Sequence, residues 1–339
     1  MSTYNVTHGT PQARQTVRRG PARPGGMLWL VWRQHRAAFR TLIAVTVVAV
    51  AAVTYGRGQM MDYLTAQGWP HPRSGWQSGI GPHADHMFQF GTYLGYLPLL
   101  IGVFVGAPLL AGDLETGTAR LVTAQSVSRT RWLTAKLGLT GAVLTALTAA
   151  LSAVLGWWWA PVKGRVEELS WGSSAFFDTT GIVPVAFTLL AFSVGAAVGL
   201  VLRRTLVSMV VTFGIVAAVL AVWDRFRLNL GHVLTATTNQ GVAPDAPQPK
   251  LPAAAVQMGQ GTSFRTSSGQ RLDWTTCLSR TEGPAHTSCL EAKHVVGYAT
   301  DYLPISQMPT MQWLGAGILL ALSAALTVFV FLWGRKQPM

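Results

Sequence analysis

Residues 106–121 read GAPLLAGDLETGTARL, and residues 126–136 continue with SVSRTRWLTAK. The stretch begins inside one long apolar run and ends inside the next. The residues between the two runs are acidic, small, hydroxylic or basic, and none of them is proline. This composition favours a short ordered element at a membrane surface over a floppy connection. We therefore interpret it as the place where another protein docks.

The overall composition is typical of an integral membrane protein. Of the 339 residues, 50% are hydrophobic and only 12% are charged, about half the charged fraction of a soluble domain. The net charge of +13 would by itself suggest nucleic acid. Many arginines flank the apolar runs, however, where basic residues orient helices and meet anionic lipid. We therefore expect contact with the lipid bilayer and no nucleic-acid binding.

Six apolar runs each approach the roughly 20 residues that a helix needs to cross a bilayer. The runs lie at residues 38–56, 91–112, 133–159, 181–202, 206–223 and 312–333. Basic residues are dense in the short connections on the N-terminal side and sparse on the other side, which orients the helices. The sequence thus predicts an all-α integral membrane protein with six transmembrane helices. It would be a multi-pass protein of the cell (plasma) membrane, with both termini cytoplasmic.

Four regions follow from this pattern. Residues 1–26 are predicted to be a disordered basic leader, because they are rich in Arg, Pro and Gly and lack an apolar core. Residues 27–223 comprise an interfacial helix and transmembrane helices 1–5. Residues 224–311 form a small extracellular cap, and residues 312–339 form helix 6 with a cytoplasmic tail.

The interfacial helix is predicted from the helical period of residues 27–40. One face of this helix is apolar and carries Leu28, Val31, Trp32, His35 and Phe39. Such a helix would lie in the membrane interface before the first span, with Trp29, Trp32, Arg33 and Arg36 in the headgroup region. The alternative is that the segment is simply the basic start of the first span.

The predicted cap contains both cysteines of the chain, Cys277 and Cys289. A structureless segment of this length is uncommon, so we expect part of it to fold. Outside the membrane the environment permits disulfides, and closing this loop would contribute roughly 3 kcal/mol. We predict a Cys277–Cys289 bond; the alternative is two unpaired thiols.

The chain lacks the motifs of an enzyme that binds ATP. Neither G-x-x-x-x-G-K-[ST] nor H-E-x-x-H occurs, so we predict no catalytic residue and no cofactor bound by this chain. Past Arg40 and Lys136, which lie near helix ends, the apolar runs contain none of the ionisable residues that ion-driven carriers use. Energy would have to come from a partner. Glycines at helix-contact spacing, Gly102/Gly106 and Gly195/Gly199, suggest close packing of the helices.

One group of residues has the ligand types of a metal site. It comprises His71, His83, Asp85 and His86. Its spacing matches no strong template for zinc or copper, and it lies in a polar external segment. We interpret it as a solvated loop and predict no metal site. The alternative function is a membrane-embedded metal-handling protein, or a non-transporting sensor or scaffold whose cap binds a ligand.

Three segments resemble the membrane permeases of ABC transporters, of the exporter-like ABC-2 type. They are GAPLLAxDLExGTxRL at 106–121 followed by TxQSVSRxRW at 123–132, WLVWRQHR at 29–36, and YLPxSQxxxxQW at 302–313. The resemblance covers the whole plan of the chain, although the external segment 224–311 matches only in position and size.

The resemblance implies a permease subunit of an ATP-driven ABC exporter that moves a hydrophobic or amphipathic substrate. The implied partners are two copies of an ABC ATP-binding subunit, which would hold ATP and Mg, and a second permease subunit in a homodimer. The connection after the second span would be a coupling helix. Its contact residues would be Asp113, Glu115, Gly117, Thr118, Arg120 and Leu121. Ser128, expected as the N-cap of the third span, and Arg129 would form the return.

Overall fold

Six long apolar helices dominate the computed structural model, which describes residues 26–117, 128–242, 246–278 and 284–336. Each helix is long and apolar enough to cross a membrane, which confirms the predicted six spans. Span one is Gly26–Ala66, span two Gly81–Glu115 and span three Arg129–Trp159. Span four is Val183–Leu202, span five Thr205–Phe226 and span six Met308–Lys336. The predicted leader, apart from Gly26, lies outside the described residues.

Span one is a single helix of 41 residues, which is about 60 Å long at 1.5 Å per residue. The segment 27–40 is therefore the first part of span one and not a separate interfacial helix. The helix runs on without a break because no Gly or Pro interrupts it between Met27 and Gly56. The predicted apolar face is only partly buried: Val31 and Phe39 are buried, whereas Leu28 and Trp32 are exposed.

Span two changes its helix type midway. It is α-helical at Gly81–Gly95, at Leu97–Ile101 and again at Ala107–Glu115, with a π-helical turn at Gly102–Gly106. The π turn lies where span two crosses span four, and such turns reset the direction in which the following residues point. The final part, Ala107–Glu115, ends at the loop that the sequence analysis singled out.

Spans two and four pack with their backbones in contact at the predicted glycine pairs. A Cβ atom on Gly106 would lie 2.8 Å from the carbonyl oxygen of Phe192. One on Gly195 would lie 2.6 Å from the amide nitrogen of Ala107. Only glycine leaves room for this approach, which is typical of helices that pack in lipid. The glycine pairs therefore form one helix–helix contact, as predicted.

The connection between spans three and four packs into the end of the bundle next to the cap. It contains a 3₁₀ turn at Glu167–Leu169 and a four-residue helix at Ser174–Phe177. Trp159 at the end of span three stacks on Phe176 with ring centroids 4.8 Å apart, and Phe176 and Phe177 are fully buried. The four-residue helix is thus held in the hydrophobic core.

The cap between spans five and six is built mainly from β-strands. The strands are β1 (Leu234–Thr237), β2 (Val256–Thr266), β3 (Arg271–Leu272) and β4 (Val295–Leu303). They form an antiparallel sheet in the order β1-β4-β2-β3. The all-α description holds for the membrane part, and the sheet is an addition to it.

A helix at Pro284–Ala292 joins the sheet through a small apolar core. Leu290 of this helix packs with Phe264 of β2 and Val295 of β4. Cys277 and Cys289 form a disulfide, which confirms the predicted pair. The cap is therefore a folded unit with its own core and covalent link.

The contact between spans two and four makes Gly195→Ala destabilising. The added methyl group would collide with span two, so we expect a loss on the order of 1–3 kcal/mol in the free energy of unfolding. Thermal unfolding of the purified chain in detergent measures the effect.

Gly214→Ala is the matched control, because Gly214 lies inside span five with no atom near its added Cβ. Alanine there should be neutral or stabilise by up to about 1 kcal/mol through helix propensity. Equal unfolding temperatures for the two variants would contradict the close packing.

Candidate functional site

Span two ends in a buried carboxylate. Asp113 is only 7% exposed, although the helix ends two residues later at Glu115. Its Oδ1 accepts a hydrogen bond of 2.8 Å from Nε2 of Gln34 in span one. Its Oδ2 accepts a hydrogen bond from Nζ of Lys136 in span three. One carboxylate therefore connects three spans.

Lys136 is the positive partner in this apolar setting. Its side chain is 0% exposed, and Nζ also donates to the carbonyl oxygen of Leu109 at 3.1 Å. The ammonium group lies 5.3 Å from the ring centroid of Trp132. An unpaired buried ammonium costs on the order of several kcal/mol, so the carboxylate and the carbonyl are what allow a lysine here. The ion pair fixes span two against span three.

Glu115 joins span two to span five. Its exposed carboxylate accepts a 2.8 Å hydrogen bond from the backbone N–H of Thr205, the first residue of span five. Helix N-termini offer free N–H groups and the positive end of the helix dipole, which favour a negative charge. The preceding turn between spans four and five is tight, since Arg203 has a φ of 55°. Glu115 thus links the C-terminal end of span two to the N-terminal end of span five.

The remaining contacts extend this arrangement to every span. Span four lies against span two at the glycine contact. Ser193 Oγ of span four lies 2.9 Å from Ser323 Oγ of span six, and hydroxyl groups of this kind link helices in lipid. Span two is therefore linked to spans one, three, four and five directly, and to span six through span four. We call Asp113, Glu115, Lys136, Gln34 and Thr205 the hub.

The connection after the hub has defined start and end points. Gly117 has a φ of 73°, the left-handed conformation that glycine adopts at helix ends. At the other end, Ser128 Oγ accepts a hydrogen bond of 3.3 Å from the N–H of Arg131, which confirms the predicted N-cap of span three. The predicted coupling residues Thr118, Arg120 and Leu121 lie outside the described residues.

Asp113 differs from the expectation drawn from the sequence. It was grouped with Glu115 as a contact residue for a partner, but the structure buries it against Lys136 inside the bundle. The available signal was an acid and a base at similar depth in consecutive spans, which favours pairing in lipid. Gln34 and Thr205 offer no comparable signal, because their roles depend on how the helices pack.

The start of span one lies beside the same end of the bundle. The Arg33 guanidinium lies 5.2 Å from the ring centroid of Trp29, and Trp32 stacks on Phe39 with ring centroids 5.1 Å apart. A groove of about 490 Å³ lies between Met27 and Leu28 on one side and the first turns of span three on the other. Aromatic and basic side chains of this kind are typical of a membrane interface.

Of the predicted histidine cluster, His83 and His86 lie in the first turns of span two and so on a helix, whereas the sequence analysis placed them in a loop. His71 lies in the connection before that helix and is exposed. His83 lies against Tyr63, with ring centroids 5.7 Å apart. In the described part of the chain, no three His, Cys, Asp or Glu side chains are arranged to hold a metal ion. The geometry there offers no support for the metal-handling alternative.

Comparison with known proteins identifies one family. A family model described as ABC-2 membrane transporter related matches residues 43–227, more than half of the 339 residues. The matched region contains Asp113, Glu115, Lys136 and Thr205, whereas Gln34 precedes it. No curated protein matches the chain.

The buried ion pair makes the chain sensitive to loss of one partner. Lys136→Met would leave the Asp113 carboxylate without its counter-charge, so we expect a loss of about 3–5 kcal/mol in the free energy of unfolding. Adding Asp113→Asn to Lys136→Met should recover part of that loss, because the uncompensated charge disappears. Denaturant unfolding in detergent of Lys136→Met, Asp113→Asn and the double variant measures this.

Lys163→Met is the matched control. Lys163 also lies over a tryptophan ring, 4.7 Å from the centroid of Trp159. It is exposed, and no carboxylate among the described residues lies within ion-pair distance of it. Its loss should cost at most about 1 kcal/mol. A double variant that loses the sum of the two single losses would rule out coupling between Asp113 and Lys136.

Proposed function

The chain belongs to the ABC-2 membrane transporter related family, and on that premise we propose that it is the permease subunit of an ATP-driven exporter. The family match and the six apolar helices make it a multi-pass, permease-type membrane protein. The proposal concerns three further properties: the energy source of transport, the direction of transport and the class of compound transported. A separate ABC ATP-binding subunit, holding ATP and Mg, would drive a hydrophobic or amphipathic compound outward.

The observation that supports this proposal best is the hub. A protein that presses on the connection after Gly117 acts on a helix end that is bonded to spans one, three and five. The Asp113–Lys136 pair is buried, and Glu115 caps a helix, so side-chain motion alone cannot absorb the displacement. Packed elements of this kind move as bodies between discrete arrangements. The hub would convert a push at the surface into movement of the spans.

We propose a homodimer of permeases with two ATP-binding subunits. Each ATPase would touch one connection between spans two and three. The contact set is Glu115, Gly117, Thr118, Arg120 and Leu121, with Ser128 and Arg129 at the return. The start of span one, with Trp29, Trp32, Arg33 and Arg36, would form a second point of transmission. The absence of a G-x-x-x-x-G-K-[ST] motif from the sequence favours a separate ATPase chain.

We propose further that the hub faces the cytoplasm and the cap faces outward. The basic residues Arg129, Arg131, Arg203 and Arg204 all belong to the hub end of the bundle, which favours a cytoplasmic position for that end. The cap carries the disulfide, and disulfides persist in oxidising compartments. Both termini would then be cytoplasmic.

Glu115→Ala tests the coupling. If a neighbouring gene encodes a P-loop ATPase, the chain should be co-purified with that ATPase. Substrate-dependent ATP hydrolysis and efflux should then be measured in sealed vesicles. Loss of the bond to span five should lower both rates by about 2- to 30-fold, while the complex stays assembled.

Glu168→Ala is the matched control, because Glu168 is an exposed glutamate in the connection at the cap end. It should leave both rates unchanged. Failure to form any complex with an ATPase, or full efflux by the Glu115→Ala complex, would count against the proposed function.

Cysteine labelling tests the orientation. In a Cys277→Ser/Cys289→Ser background, a cysteine replacing exposed Ser74 between spans one and two should react with a membrane-impermeant maleimide in intact cells. A cysteine replacing exposed Arg335 near the end of span six should react only after the cells are permeabilised. The reverse pattern would place the hub outside and exclude an intracellular ATPase contact there.

A further inference from the structure

An apolar groove runs along spans five and six at the end next to the cap. Its volume is about 420 Å³, within the range of roughly 300–1,000 Å³ typical of ligand sites. Span five contributes Ala218, Val222 and Phe226, and span six contributes Ile318, Leu319 and Leu322. Most of these side chains are exposed on the outer surface of the bundle. The groove therefore opens toward the hydrocarbon of the membrane.

Arg227 forms the wall of the groove at its cap end. Its side chain is only 8% exposed. Its Nη2 donates to the carbonyl oxygen of Gly172 at 3.1 Å, and its Nη1 pairs with Asp224. Its Nε is buried and has no hydrogen-bond partner among the described residues. A buried donor that lacks an acceptor is costly, so an acceptor oxygen bound at this wall would be favoured.

The depth of Arg227 corresponds to a membrane interface. It lies about 33 Å along span five from Thr205 at 1.5 Å per residue, close to the roughly 30 Å thickness of the hydrocarbon core. Thr205 belongs to the hub end, so Arg227 lies where the acyl chains of the opposite leaflet meet their headgroups. Ester carbonyl oxygens of phospholipids are found at this depth.

The charges around Arg227 disfavour an anionic headgroup. Oδ2 of Asp178 lies 3.7 Å from Nη1 of Arg227, and Asp224 pairs with the same nitrogen. Burial raises the pKa of Asp178 to about 6, which leaves it mostly ionised at pH 7. Two carboxylates therefore face one guanidinium. The Asp224 side chain is 64% exposed. It lies next to the groove, beyond Arg227, and lines the adjoining cavity together with Asp178.

We propose that this groove binds one aminophospholipid from the leaflet next to the cap. An acyl chain fills the apolar groove, and the primary ammonium of the headgroup lies beside Asp224. A small outward turn of the guanidinium lets Nε of Arg227 donate to an ester carbonyl oxygen. This binding requires only the membrane-spanning fold, so it stands or falls independently of the ATPase coupling.

Native mass spectrometry of the purified full-length chain tests the site. After mild delipidation, the chain is offered equimolar phosphatidylethanolamine and phosphatidylglycerol. We expect one phosphatidylethanolamine per chain, retained about tenfold better than phosphatidylglycerol. Arg227→Lys keeps the positive charge but has no Nε, so it should lower the retention several-fold.

Ala218→Trp fills the groove without altering the charged cluster and should lower the retention about tenfold. Leu322→Trp fills it from the other wall and provides a second variant. Val210→Trp is the matched control, because Val210 is an exposed residue of span five outside the groove; it should bind lipid like the original chain. Unfolding temperatures show which variants are folded.

Three results would overturn the proposal. One is equal retention of the two lipids, which would remove the role of Asp224. Another is unchanged retention in both groove-filling variants. The third is dissociation of permease dimers by Ala218→Trp and Leu322→Trp with no change in bound lipid, which would show that a second copy of the chain covers the groove.

Discussion

A carboxylate in an apolar environment must be paired, and at Asp113 this requirement fixes the ends of three helices. Lys136 supplies the counter-charge and Gln34 a further hydrogen bond, so spans one, two and three cannot slide past one another without exposing an unpaired charge. The glycine contact then places span four directly against span two. With these helices in place, Glu115 reaches the first residue of span five.

Different interactions stabilise the two ends of the bundle. At the hub, specific polar bonds join helix ends, and the chain leaves through a connection that begins at Gly117. At the other end, aromatic side chains fill the core, and Trp171 Nε1 donates to the carbonyl oxygen of Ala254 in the cap at 2.7 Å. The first arrangement depends on a few polar bonds, whereas the second is a close-packed apolar body. An input at the hub would therefore move helices about a firm opposite end.

Span five is the helix that is hydrogen-bonded at both the hub end and the cap end of the bundle. Only one stripe of it is buried, comprising Ser208, Thr212 and Val216 at intervals of one helical turn. Glu115 holds its start, and Asp178 holds its far end through Trp223 Nε1 at 2.6 Å. Val219, Leu220 and Trp223 are partly buried against the core. Much of the remaining surface is exposed and apolar, so lipid or a second subunit must cover it. Span five is thus hydrogen-bonded to neighbouring elements at both ends and has few polar contacts between them. Such a helix could shift as a rigid body across the membrane.

The sequence alone determined the features that depend on local composition. Runs of apolar residues set the six spans, glycine spacing marked a helix contact, Ser128 marked a helix start, and the cysteines predicted their bond. Tertiary structure decided what depends on distant neighbours: the burial of Asp113, the capping of span five by Glu115, and the unpaired Nε of Arg227. Composition reports whether a segment prefers lipid or water. Which charge meets which partner is set by the depth and rotation of helices far apart in the chain, and no local pattern encodes these.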